Sequence, residues 1–463
     1  MKQILKHSSL IFLFLFSTLL MAQENQPKES YTFSLEEAIE FGLDNNYDSQ
    51  IAEKDIEKAL KQKWEIISQG LPQITGGVDY QNYLKQPVTL IPAEIAGGEP
   101  GTFMPVRFGT KQSMNATATW NQLIFDGSYI VGVQSAKTLL EISENIKIKT
   151  DQEVEKAIIS AYSNVLLAEE SVKILNRNVS NIQKNYDDTK KIFENGLAEE
   201  EDVERLEITL LTLKNNLNRS VRMRDVAYEM LNITLGLPIE TTVTLSENLE
   251  DLTMKNYDLA LLEKTIPIED NIDYIIAEDQ KESAEIQVKF EKAKALPSLS
   301  AFVNYGYQGF NEEFNFLDSD QDYFAQSILG VSLNIPIFDG FRTTNRVEET
   351  LHNYYNIRAQ EEERRQQIAL EVEQSYLRVV ETQERIIATE AATRAAKENL
   401  DLAQGRYQVG VGSIIEVTDA ETLYTDAQTN YVRTLYDYKI ADAQLARAMG
   451  DHRVGVLKPG SIR

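Results

Sequence analysis

From Ile158 to Tyr186, apolar side chains recur at spacings that alternate between three and four: Ile158, Ala161, Val165, Ala168, Val172, Leu175, Val179, Ile182 and Tyr186. That rhythm draws one apolar seam along a helix, as coiled-coil packing requires. The tract has no glycine between Gly132 and Gly196 and no proline between Pro105 and Pro238. Those two residues are the main helix breakers, so one helix is predicted over 128–194, about 100 Å long at 1.5 Å per residue. A partner over 200–235 covers about 54 Å and stops at Gly236 and Pro238, a glycine with proline behind it. A second tract, free of glycine from Gly340 to Gly405 and of proline from Pro336 to Pro459, predicts helices over 341–408 and 414–449. Its seam is smaller and more polar (Ser375, Thr382, Thr389, Thr393), which fits either tighter, wetter packing or drift between two copies.

Elsewhere the period falls to two. Met114, Ala116, Ala118 and Trp120 alternate with Asn115, Thr117, Thr119 and Asn121. Leu299, Ala301, Val303, Tyr305 and Tyr307 alternate with mostly polar neighbours, as do Ala325, Leu329, Val331, Leu333 and Ile335. Phe302, Ser327 and Ile328 break the pattern, and the strand expected from Gln73 is weaker. Two β-hairpins are predicted, over 71–126 and 296–339. Their length and alternation suit membrane-barrel strands, with Tyr80, Trp120, Tyr305, Tyr307, Tyr323 and Phe324 near strand ends as an aromatic girdle. Alternation alone suits a half-buried sheet of a soluble domain equally well. If the strands lie in lipid, four of them cannot close a barrel, and an open edge there leaves backbone groups unsatisfied. The chain must then oligomerise.

The same order of elements occurs twice. Gln50–Lys54 matches Ile275–Asp279 and Leu71 matches Leu296, both at an offset of 225. Phe125, Asp126 and Gly127 match Phe338, Asp339 and Gly340 at 213, and Gly196 pairs with Gly410 at 214. Two tandem copies are predicted, 23–250 and 251–463, each a helix, a hairpin, a long helix and a shorter one. The first copy carries about a dozen extra residues between Tyr80 and Lys111.

Composition narrows the function. Lys2, Lys6 and His7 precede an apolar run from Ser8 to Leu20, and Ala22 offers a cleavage point, so 1–22 reads as an export signal too short to span a bilayer. No later stretch is apolar enough for a spanning helix. A formal charge of −26 argues against nucleic acid as a partner. With no cysteine and three scattered histidines there is no thiol nucleophile and no zinc cluster, and no catalytic, cofactor or metal motif is found.

The duplicated layout resembles the TolC family of outer-membrane efflux proteins over essentially the whole mature chain. The segment from Arg406 to Ala420 is similar to that family's motif at the tip of the inner helical hairpin, and Asn195 to Val203 to its outer counterpart. The resemblance implies a mainly α fold with membrane β. It would be a homotrimer with a twelve-stranded barrel, four strands per protomer, continuing into a coiled-coil periplasmic tunnel. The implied role is a passive exit duct, not an enzyme, set in outer-membrane lipid and serving tripartite efflux or type I secretion. Its partners would be a periplasmic adaptor (membrane fusion protein) and an inner-membrane transporter. Carried over by position, Glu416 and Asp419 would ring the closed entrance with carboxylates that favour cations. Tyr407 would be a gate tyrosine tied to Asp202. The turn glycines Gly196 and Gly410, with Leu197, Ala198 and Val411, would form the tips that meet the adaptor. This chain departs from the family by placing Gly412 where a basic gate residue is expected. Two rival readings are a soluble periplasmic coiled-coil scaffold and the adaptor itself.

Overall fold

The computed structural model describes residues 30–255 and 268–450; the predicted export signal over 1–22 lies outside the described residues. Strand β1 (Ser30–Phe33) leads into helices α1 (Leu35–Asn45) and α2 (Tyr47–Ser68). Next come β2 (Gln73–Asn82), a small hairpin of β3 (Thr89–Pro92) and β4 (Phe103–Val106), and β5 (Gln112–Asp126). Helices α3 (Gly127–Glu194) and α4 (Glu200–Thr234) follow, then β6 (Thr242–Leu245) and α5 (Leu249–Lys255). The remainder runs through α6 (Ile272–Ala293), β7 (Ser298–Asn311), β8 (Tyr323–Asn334), α7 (Arg342–Gln408) and α8 (Ile414–Ala448). Helix lengths come in near-equal pairs: 68 and 67 residues for α3 and α7, 35 each for α4 and α8, and 22 each for α2 and α6.

The chain divides into two compact units, one of residues 54–146 and 274–364, the other of the remaining residues. The first contains a four-stranded sheet in the order β2-β5-β7-β8, antiparallel throughout. β8 ends at Asn334, short of the alternation expected to reach Ile335, because Pro336 has no N–H to give a ladder. The β3–β4 hairpin, pairing only with itself, occupies the stretch where the first copy is longer.

In the second unit β1 and β6 pair in parallel beside a core that includes Ile158, Tyr162, Val165, Leu231 and Tyr438. Helix α1 starts on a capping box, Ser34 and Glu37 each bonding the other's backbone. The predicted seam of α3 buries Ile158, Val165 and Ile182, but around Leu175 and Val179 the buried positions are Ile174 and Asn178, one residue earlier. A straight helix drifts against a strict three-four repeat, and here the contact slips by one position. On α7 the threonines turn their hydroxyls back onto their own helix: Thr382 donates to Arg378 O at 2.8 Å and Thr389 to Arg385 O at 2.7 Å. Their hydroxyls are thereby satisfied along the helix, and Thr393 also reaches Ala427 O at 3.0 Å.

One junction recurs. Asn46 Nδ2 donates to Thr234 O at 2.8 Å while its Oδ1 caps the Asp48 N–H at 2.8 Å. Asn271 Nδ2 donates to Ala448 O and its Oδ1 accepts from the Asp273 N–H, both at 2.9 Å. Each asparagine starts one helix and satisfies an orphan carbonyl at the end of another.

Candidate functional site

The sheet register gathers the alternating apolar residues onto one face. Directly paired side chains share a face, and across four strands the rows read Ile74, Trp120, Val303, Leu329 and then Val78, Ala116, Tyr307, Ala325. The opposite face carries Thr75, Thr119, Asn304 and Ile328, with Asn304 Nδ2 donating to Thr119 Oγ1 at 2.8 Å. Within the chain the apolar face is open: Ile74, Val78, Leu329 and Val331 are each about two-thirds or more exposed. Phe302 points to the polar face, where its ring fills the space over Gly330; a Cβ there would come within 2.4 Å of it.

The aromatic residues sort into levels. Tyr80 and Tyr323 lie in the row of Met114 at the loop end of the sheet, and Trp120 lies six residues along β5, roughly 20 Å away. Tyr80 donates to Gln112 Oε1 at 3.0 Å and packs edge-on against Phe314 and Phe316, while Tyr323 donates to Phe316 O at 2.7 Å. Two expectations need correction. Tyr305 stands mid-strand, bonded to Tyr307 at 2.8 Å, because β7 continues to Asn311. Phe324 faces the polar side beside Phe310, since its register partner is Gln308.

At each joint the aspartate of the repeated Phe-Asp-Gly starts the long helix. Asp126 accepts from the Tyr129 N–H at 3.0 Å, and Asp339 from the Thr343 N–H at 2.9 Å. The second joint also holds Gly340 and Phe341 in the left-handed region, φ 71° and 66°.

At the other end of the long helices, Gly196 and Gly410 adopt φ of 76° and 78°. The Leu197 N–H reaches Ile192 O at 3.0 Å and the Val411 N–H reaches Arg406 O at 3.0 Å, closing both helices in the manner of a glycine stop. Leu197 and Val411 stand exposed on the turns, with Ala198 half-buried. Behind the turns Leu206, Leu400, Ala403, Ile414, Val417 and Ala420 form a small core, against which Tyr186, Tyr407 and Tyr424 pack. Asp202 and Asp419, from different hairpins, line one cavity of about 250 Å³ with Arg205, Leu206, Ile414 and Thr418. Glu416 pairs with Arg406 Nη1 at 3.3 Å. Tyr407 forms no hydrogen bond to Asp202 within the chain and is held by packing.

Comparison with known proteins identifies this architecture. The family described as "Outer membrane efflux protein" matches residues 276–451. The outer membrane protein TolC of Vibrio cholerae serotype O1 is 22% identical over 345 residues, covering 73% of this chain and 76% of its own. TolC of Escherichia coli K12 is 25% identical over 357 residues, covering 73% and 70%. By these matches the chain resembles the TolC-like outer membrane efflux proteins. Its fold is that of solved outer-membrane channels. VceC of Vibrio cholerae superposes with a TM-score of 0.69 at 18% identity, over 90% of this chain and 96% of that one. CusC gives 0.71 at 16%, over 93% and 95%. The open-state MtrE channel of Neisseria gonorrhoeae gives 0.70 at 18%, over 90% and 88%.

This TolC-like protein is accordingly an outer-membrane protein with its long helices in the periplasm, and the solved structures that share its fold are outer-membrane channels. No helix among the described residues is long and apolar enough to cross a membrane. Sequence reading missed the two arginines of the tip. Arg205 is bonded to Glu201 at 2.5 Å, and that carboxylate first, then Asp202 and Asp419, hold its guanidinium in the charged form. Arg406, immediately before the gate tyrosine, was legible as a base ten residues before Glu416, but only the turn at Gly410 brings the two together. Gly412 is small for a local reason. A Cβ there would lie 3.0 Å from that of Arg406 and 3.1 Å from the Tyr407 nitrogen.

Proposed function

We propose that three copies of this chain pool their sheets into a twelve-stranded barrel that continues into a periplasmic tunnel of paired helices. Each protomer contributes two tandem repeats, 23–250 and 251–463, and the near-equal helix lengths and the recurring asparagine junction support that division. The assembly is a passive exit duct: an inner-membrane transporter supplies the work, and a periplasmic adaptor joins it to the turns at Gly196 and Gly410. Exposed Leu197 and Val411 are the apolar groups an adaptor would cover. Asp202, Glu416, Asp419 and Tyr407 form the periplasmic entrance, and Tyr80, Trp120 and Tyr323 flank the lipid-facing band.

One observation carries this reading. Among the described residues the register assembles an apolar face that is left open, on a sheet whose outer strands, β2 and β8, each have an unpaired edge. In hydrocarbon every unpaired backbone group costs several kcal/mol, so the edges must meet those of other copies. A soluble scaffold or adaptor would have to cover that face with its own chain. Because the protein has no cysteine, one cysteine on β2 and one on β8 can be introduced and scanned along the register without background. Oxidation in membranes is expected to yield covalent trimers. Exclusively monomeric product for every pair, with a monodisperse monomer in detergent, would refute the assembly.

A further inference from the structure

We propose that Glu421 is a proton-operated wedge between the two helical hairpins near their tips: neutral, it lets α8 seat against α3; ionised, it pushes them apart. Glu421 is 2% exposed, and its carboxyl lies on the face of α8 turned towards α3. Its neighbours across that contact are neutral. Asn185 Nδ2 reaches Oε2 only at 3.4 Å, the Asn181 amide steadies the charged form slightly, and Oε1 is buried with no donor among the described residues. One turn along, Asn178 Nδ2 donates to Thr425 Oγ1 at 2.8 Å, so the contact between the hairpins is a polar layer into which one ionisable group has been set.

The groups around it offer no countercharge. From α3 come Asn181 and Asn185, and the adjoining tip core adds the phenol rings of Tyr186, Tyr407 and Tyr424. On its own helix Glu416 and Asp419 face elsewhere, one paired with Arg406 and the other lining the cavity beside Arg205. No charged side chain moves its titration; burial does, and raises it above the ordinary 4.5. The folded tip therefore retains a proton that the unfolded chain loses. The resulting stability is fully present below pH 4.5 and is lost as pH rises through the higher folded value. A buried polar pair fixes geometry, whereas a buried lone charge opposes it.

The packing claim stands on the geometry of one chain, and its consequence for conduction rests on the entrance reading above. Hydrogen exchange of the full protein in detergent separates them. Peptides over 174–190 and 414–430, normalised to the unfolded rate at each pH, are expected to lose protection as pH rises from 4.5 to about 8. Glu421→Gln keeps the shape without the charge and should be equally protected at both. Asn185→Lys supplies a countercharge and should also flatten the slope, serving if the first variant folds poorly. A flat wild-type profile, or a wild-type slope retained in both variants, overturns the wedge. In planar bilayers, wild-type conductance should rise over the same interval and that of Glu421→Gln should not. Exchange that changes while conductance stays flat would keep the wedge and remove the entrance from the tip.

Discussion

At the scale of single residues, two positions show which effect wins. Phe341 holds a left-handed backbone, φ 66°, which costs an ordinary residue roughly 1–2 kcal/mol. Its ring meets Phe338 edge-on at 5.5 Å, an arrangement that returns about 0.5–1.5 kcal/mol. The two nearly cancel, so Phe341→Gly is expected to change the thermal midpoint little. Phe341→Ile, which keeps the strain and loses the ring, should lower it clearly; equal midpoints for both would show that the backbone there is unstrained. Tyr407 is the second case. Its phenol has no bond to Asp202 in the chain and its ring packs on the tip core. Tyr407→Phe should leave the tip's exchange protection unchanged, while Tyr407→Ala should cost about 2 kcal/mol, less than a fully buried aromatic. Loss of protection in the phenylalanine variant would mean that the hydroxyl is bonded after all.

Helices and strands were legible to different depths. The absence of glycine and proline from 133–195 and 341–404 coincides with unbroken helix, because nothing in those tracts interrupts the ladder. The alternation around Met114 and Val303 coincides with strand, and register explains the breaks: Phe302 is accommodated by Gly330 across the pair. Illegible were contacts that depend on a partner far along the chain. The pairing of β1 with β6 and the reach of Asn46 to Thr234 carry no local signal. The same limit hid Arg205 beside Asp419. The asparagine junctions are testable as elements. Asn46→Ala and Asn271→Ala each remove a cap and leave a carbonyl unpaired, for about 1–2 kcal/mol apiece in chemical unfolding. Asp in place of either keeps the cap but loses the donor, so an intermediate cost is expected. Two aspartate variants as stable as wild type would show that the carbonyl contacts contribute nothing.

Across the whole molecule, charge decides what an entrance of this composition admits. The net charge of −26 and the carboxylates of the tip suggest a strongly cation-selective ring. The tip is more balanced than that. Glu416 shares its charge with Arg406 at 3.3 Å, and Asp202 and Asp419 line their cavity beside Arg205. These charges are largely exposed and add little stability, so their removal should not unfold the tip. Their effect is on the field in a narrow aperture, where carboxylates on three copies act together. Arg406→Gln and Arg205→Gln are each expected to raise the cation-to-anion permeability ratio in planar bilayers, and Asp419→Asn to lower it. Added salt should shrink all three differences, because the screening length falls from about 10 Å at 0.1 M to about 3 Å at 1 M. Permeability ratios that ignore all three substitutions at low salt would place the selective constriction away from the tip, and with it the entrance proposed for Asp202, Glu416 and Asp419.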